Sequence, residues 1–191
     1  MAKRTQIVCI HEGKKDSVDL VFANAFLKAY NPGWLRPYTK PPMTGIVDFK
    51  PYGSKSVLLQ NFPQELKNCI ARGSDTTLIV LADIDDKLKN GEELKKAYWE
   101  TAQEAGITRE MFDKAVFIFP KDRIENWIQY LSTGVTDENT EGPRVKNNRE
   151  AKDMARHLAE KCRRPQQIRE TFPPSLEWSC HNWKNLVERM G

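Results

Sequence analysis

The chain has 191 residues, 39% of them apolar and 29% charged, with a formal net charge of +4. This length suits one well-cored domain with an appended subdomain and is short for two independent ones. The composition excludes disordered and fibrous classes, and the charge is too modest to establish nucleic-acid binding by itself.

No apolar run approaches the roughly 18 to 20 residues of a membrane helix, and MAKRTQIVCIHEGKK holds too short a hydrophobic stretch for a signal peptide. A cytoplasmic protein without a membrane partner is expected. Cys9, Cys69, Cys162 and Cys180 contain no CxxC pair, which argues against a zinc ribbon or thioredoxin-type site and for reduced thiols.

Residues 5–11, TQIVCIH, form a β-branched run that predicts a buried strand. HEGKKDS follows, with Asp16 or Ser17 as a helix cap, and Val18, Phe22, Phe26 and Ala29 recur at helical spacing until NPG at 31–33. The proline-rich WLRPYTKPPMTG reads as a surface loop. IVDFKPY at 46–52 alternates like a strand, and Pro51 marks it as an edge.

PQELKNCIAR at 63–72 predicts a helix with Pro63 in its first turn and Gly73 after its last. TTLIVLAD is the clearest central strand, and it runs into LADIDD at 81–86. A charged helix at 91–106, a buried strand AVFIFP at 115–120 and a helix DRIENWIQYLS with Ile124, Trp127, Ile128 and Leu131 on one face follow in turn. YGSKS at 52–56 lacks the spacing of a phosphate-binding glycine loop.

Alternating strands and helices predict an α/β fold: a Rossmann-like, mainly parallel sheet covered on both faces. Residues 1–132 form this core. Residues 133–191 begin with a polar, turn-rich linker expected to be flexible and continue as a C-terminal helical cap, with helices near 148–163 and 175–190. Trp178 and Trp183 in the last helix are read as core packing rather than base-stacking groups.

Ligands of open parallel sheets gather at the carboxyl ends of the strands. Glu12, the Asp83/Asp85/Asp86 cluster and the PKDRIE turn all fall at that edge. In D-x-D at a strand end, Asp83 and Asp85 share a side while Ile84 faces inward. Carboxylates held together stay ionised only beside a cation, and Mg²⁺ (or Mn²⁺) takes such hard oxygen ligands together with phosphate oxygens. Phosphoryl chemistry is the expectation. Strand-end acids also arise simply because loops are polar.

HEGKKDS after one strand and DID after another, in this order and spacing, resemble the Toprim domain of topoisomerases, primases and related nucleases, over roughly residues 5 to 120. The resemblance implies Glu12 as general acid/base or ligand and Asp83 and Asp85 as Mg²⁺ ligands, with Gly13 allowing a tight turn and Asp16 supporting it. FPKDRIENW at 119–127 resembles the fourth-strand exit of Toprim-like nucleases of phage defence. That likeness implies Glu125 as a further metal ligand and Lys121 or Arg123 as phosphate-holding groups, with Lys121 placed in the catalytic set.

The chain lacks a tyrosine-bearing strand-passage domain, a primase zinc module and an ATPase motif. The resemblance therefore implies a small metal-dependent nuclease or phosphodiesterase acting on nucleic acid, activated by a partner ATPase. The alternative is a non-catalytic Toprim-like module that binds nucleic acid or a protein; a small-molecule phosphotransferase has no glycine loop to support it. Lys14, Lys15, Arg123, Arg149 and Arg156 are the candidate nucleic-acid contacts, the last two within a basic stretch at 144–169 that otherwise reads as a solvated face. His11 is read as structural or as assisting proton transfer, and Asp86 as capping or solvating its turn.

Overall fold

The two apolar runs become the two central strands of a four-stranded, all-parallel sheet with the order β2-β1-β3-β4. β1 (Ile7–His11) and β3 (Thr77–Leu81) are buried along their whole length and pair from Ile7↔Thr77 to His11↔Leu81. β2 (Val47–Pro51) flanks β1 and ends on the exposed Pro51, as an edge strand can. β4 (Val116–Ile118) closes the other edge beside β3. The computed structural model describes residues 7–14, 17–30, 47–74, 76–85, 87–145, 147–163 and 171–190, with side chains through Lys184. The loop expected at 34–45 lies outside these residues.

Strand residues alternate between the two faces, and the packing follows that period. Val8, Ile10, Leu78, Val80 and Phe117 pack against α2 (Lys55–Arg72), α3 (Gly91–Glu104) and the short α4 (Arg109–Phe112). Ile7, Cys9, Ile79, Leu81 and Val116 pack on the opposite face against α1 (Val18–Tyr30) and Trp183 of α7 (Pro174–Met190). α5 (Ile124–Thr133) and α6 (Asn148–Arg163) share a third core with α1 and with Leu176 of α7. Among the described residues no helix is long and apolar enough to cross a membrane.

α2 begins two turns before the predicted start, and Pro63 is buried inside it. Gly53 turns the chain at φ +76°, and the extended Ser54 then accepts the Val57 N–H on Oγ at 3.4 Å, capping the helix. The balance of energies explains why the helix runs through proline. An interior proline costs about 3 kcal/mol, whereas burying Leu58 and Phe62, both 0% exposed, contributes about 1.5–3 kcal/mol each. α4, capped by Thr108 at 3.3 Å from the Met111 N–H, is an element the sequence reading lacks.

The C-terminal helical cap is present as α6 and α7, and it is built into the cores of the sheet. Ser179 Oγ accepts the Phe119 N–H at 3.0 Å, and Ser175 Oγ accepts the Lys121 N–H at 3.1 Å and the Trp127 Nε1–H at 2.8 Å. Glu138 accepts the Ser175 N–H at 3.1 Å, tying the segment after α5 to the start of α7. The same segment is held to α5 by Asn126 Nδ2, which donates to the Thr140 carbonyl at 3.2 Å. α7 thereby fixes the exit of β4.

Candidate functional site

From β1 the chain crosses to one side of the sheet, and from β3 to the other. The carboxyl ends of these adjacent strands therefore flank the crevice where open parallel sheets hold ligands. Glu12 follows β1 directly and Asp83 lies two residues beyond β3. Although 71 positions separate them, the Asp83 N–H donates to Glu12 Oε1.

Two more acids act on this pair, each from the first turn of a helix that starts at the same edge: Asp19 of α1 and Glu125 of α5. Burial, reinforced by the negative charges of Asp19, Glu12 and Glu125, pushes the Asp83 carboxyl up to about 9, with Lys55 opposing. Burial and then Glu125 push Asp19 up to about 6. Glu12 is raised by burial against the pull of the Asp83 amide and Lys55. Asp19 also walls a narrow, otherwise apolar cavity of about 60 Å³ between α1, the sheet and α7, which accounts for its desolvation.

Asp85 stands outside this inner group. Its side chain is 59% exposed and pairs with Lys55 Nζ at 2.6 Å, while Ile84 between the two aspartates is buried and bridges to Lys121. Lys55, the first residue of α2, is thus the cation shared by Glu12, Asp83 and Asp85. Lys121 is engaged elsewhere: its ammonium donates to the carbonyls of Asp85 at 3.1 Å and Leu88 at 2.6 Å, clamping that turn.

Arg123 pairs with Asp122 at 3.2 Å and Glu141 at 2.6 Å. Lys14 is exposed beside Glu12. Arg149 and Arg156 lie on α6 and pair with Asp153 at 3.8 and 2.8 Å. Lys15, Asp16, Asp86, Lys146, Arg164 and Arg169 lie outside the described residues. His11 is 1% exposed, neither ring nitrogen has a hydrogen-bond partner among the described residues, and burial lowers its pKa, so it stands neutral beside Glu12.

Comparison with protein-family models, curated proteins and solved structures finds no match. Among the described residues no three His, Cys, Asp or Glu side chains stand in a metal-holding arrangement. The donor set nevertheless suits a hard divalent cation: carboxylates that raise one another's pKa at a half-buried crevice need either a proton or a positive ion.

Asp19 and Lys55 are the two members of the site that the sequence reading missed. A carboxylate in the first turn of the helix after Glu12 was the available signal for Asp19. Lys55 lies in YGSKS at 52–56, which is set aside as a glycine loop and given no helix.

Proposed function

We propose that the protein is a Toprim-like nuclease or phosphodiesterase that hydrolyses nucleic acid with Mg²⁺ or Mn²⁺. The observation that carries this reading is the hydrogen bond from the Asp83 amide to Glu12, which joins the ends of two adjacent strands at the switch point of a parallel sheet, with the charges of Asp19, Glu12 and Glu125 acting on the Asp83 carboxyl. Glu12 and Asp83 would hold the cation, two carboxylates being enough for Mg²⁺ with water, while Glu125 and Asp85 would act on it through their charge. When bound, such a cation neutralises charge on a phosphoryl group and lowers the pKa of water. Glu12 is the general acid or base, its readiness to hold a proton raised by burial. Lys55 is better placed to meet a phosphate than Lys121, whose ammonium is occupied by two carbonyls.

The substrate strand is assigned to the groove between α1 and α6, on a face of α1 different from the one that carries Asp19. A space of about 650 Å³ there is lined by Lys28, Lys152, Arg156 and Arg163 against the single acid Glu160. On the same reading the enzyme works in the cytoplasm, in phage defence, with any ATP-driven step supplied by a partner ATPase.

The test is cleavage of single- and double-stranded DNA and RNA with Mg²⁺ or Mn²⁺. Glu12→Gln is expected to lower the rate by about 10²-fold or more, the scale of losing a positioned acid–base group. Undiminished cleavage by folded Glu12→Gln removes the assignment. Independently, the double variant Lys152→Glu with Arg156→Glu is expected to weaken oligonucleotide binding, flattening the log K against log salt slope by about 0.7–0.9 per lost phosphate contact. An unchanged slope moves the substrate out of this groove.

A second reading, the non-catalytic binding module, is favoured by one observation: a Glu12 oxygen is already engaged by the Asp83 amide and Asp85 by Lys55. Salt-dependent oligonucleotide binding by the wild type with no turnover in either cation would select it.

A further inference from the structure

The four cysteines fall into two environments. Cys9 and Cys69 are buried in the two sheet cores, at 1% and 2% exposure, and burial pushes their thiols up to about 12 and about 11. Cys162 and Cys180 instead face each other across the junction of α6 and α7, both half-buried, with Sγ atoms 4.0 Å apart. Nothing in the proposed hydrolysis uses them.

We propose that Cys162 and Cys180 are a redox-modification site, converted by a hydroperoxide into a disulfide that joins α6 to α7. A disulfide requires an S–S distance of about 2.05 Å, so the two sulfurs, 4.0 Å apart and already facing each other, must approach by about 2 Å. The two sulfurs lie within hydrogen-bond distance and either can donate, so either can supply the attacking thiolate. Whichever thiol ionises first attacks, and the other resolves.

The chemistry balances in two steps. One sulfur attacks the peroxide as a thiolate and breaks the O–O bond, giving a sulfenic acid and an alkoxide that takes up the proton released by that thiol and leaves as an alcohol (water, from hydrogen peroxide). The second sulfur then displaces the hydroxyl, which leaves as water with the second thiol's proton. Two thiols are oxidised, one peroxide is reduced, and a thiol reductant reverses the result.

The bond would act on the wall of the basic groove. Arg163, next to Cys162, lines that groove and donates to the Tyr30 carbonyl at 3.0 Å and to the Ala29 carbonyl at the end of α1. Fixing Cys162 to α7 fixes this corner. The proposal does not depend on nucleic-acid cleavage, and its test uses none.

The full chain is treated with hydrogen peroxide in native buffer, alkylated, digested and mapped by mass spectrometry. The expected result is a fall in free thiols from the four present to two, with one linked peptide pair containing Cys162 and Cys180. Dithiothreitol should release it, and Cys9 and Cys69 should stay alkylatable. The linked pair should be absent from Cys162→Ser and Cys180→Ser, with the remaining partner oxidised singly.

Separate alkylation or sulfinic oxidation of Cys162 and Cys180 in the wild type, without linkage, overturns the proposal, as does preferential linkage through Cys9 or Cys69. Should either serine variant fail to fold, the wild-type map decides alone.

Discussion

At pH 8 the wild-type protein is expected to melt about 3–6 °C higher in Mg²⁺ or Mn²⁺ at tenfold its Kd than in chelator, and Asp83→Asn to lose both that shift and metal-dependent cleavage. The size follows from linkage: tenfold Kd stabilises by about 1.4 kcal/mol, and 1 kcal/mol moves Tm by about 2–4 °C in a chain of this length. Without cation, Asp83→Asn should melt above the wild type, because at this pH the wild type must take up a proton on Asp83 in order to fold and the amide need not. Loss of function with gain of stability is the signature of a site held together against its own charge. Cleavage should fall at least about 100-fold, the scale of losing an electrostatic contact to the transition state.

The pH dependence fixes the sign. Asp83 is raised from 3.8 to about 9 on folding, so between those values the folded state keeps a proton that the unfolded chain has released. Stability therefore falls as pH rises through that window, by at most about 1.4 kcal/mol per unit, and this contribution levels off above about 9. Asp19 adds a slope of the same sign between 3.8 and about 6.

Asp83→Asn should flatten the decline above pH 6 and leave the Asp19 contribution below it. Since the cation replaces the proton, its affinity should rise with pH over the Asp83 window. Thermal melts in chelator and in cation at several pH values give both slopes. An equal cation shift in Asp83→Asn, or none in the wild type, separates this carboxyl from metal binding.

The parts of the fold set by continuous apolar runs were legible: β1 and β3 are buried throughout, and the alternating order of elements predicted the parallel sheet. The same reasoning brought Glu12 and Asp83 to one edge, because strand ends are fixed by where the runs stop. What escaped depended on competition or on distant partners. The start of α2 was read from Pro63, a local signal, whereas the helix is set by the Ser54 cap and by an apolar face that continues across the proline.

Lys55 escapes with it, because YGSKS is weighed only as a glycine loop. The fate of Lys121 was illegible for another reason. Its partners are main-chain carbonyls 33 and 36 positions away, which no spacing rule encodes. Asp85, expected to converge with Asp83, is drawn to Lys55 by the same helix start that the sequence reading misplaced.

Trp183→Ala should unfold much of what Asp83→Asn leaves intact, at a cost of about 3–5 kcal/mol out of a total stability of about 5–15 kcal/mol. Trp183 is 4% exposed and meets the rings of Phe26 and Tyr30 edge-on at 5.7 and 5.5 Å, in the core shared with Ile7, Cys9 and Ile79. It also lines the cavity of about 60 Å³ beside Asp19, so truncation enlarges an existing void rather than one its neighbours can close.

Trp178 is the internal control. It is half-buried, stacks on Phe119 at 5.3 Å and donates to Glu92 Oε1 at 2.6 Å at the protein surface, so Trp178→Ala should cost clearly less. Urea midpoints for the two variants decide the order. Near-wild-type stability of Trp183→Ala would mean that α7 docks without supporting the sheet. If the cost is as large as expected, cleavage should fall with folding in Trp183→Ala, because Ser175 and Ser179 of the same helix hold the β4 exit that leads to Glu125. The two losses of activity would then have stability changes of opposite sign, separating the residues that perform the chemistry from the helix that positions them.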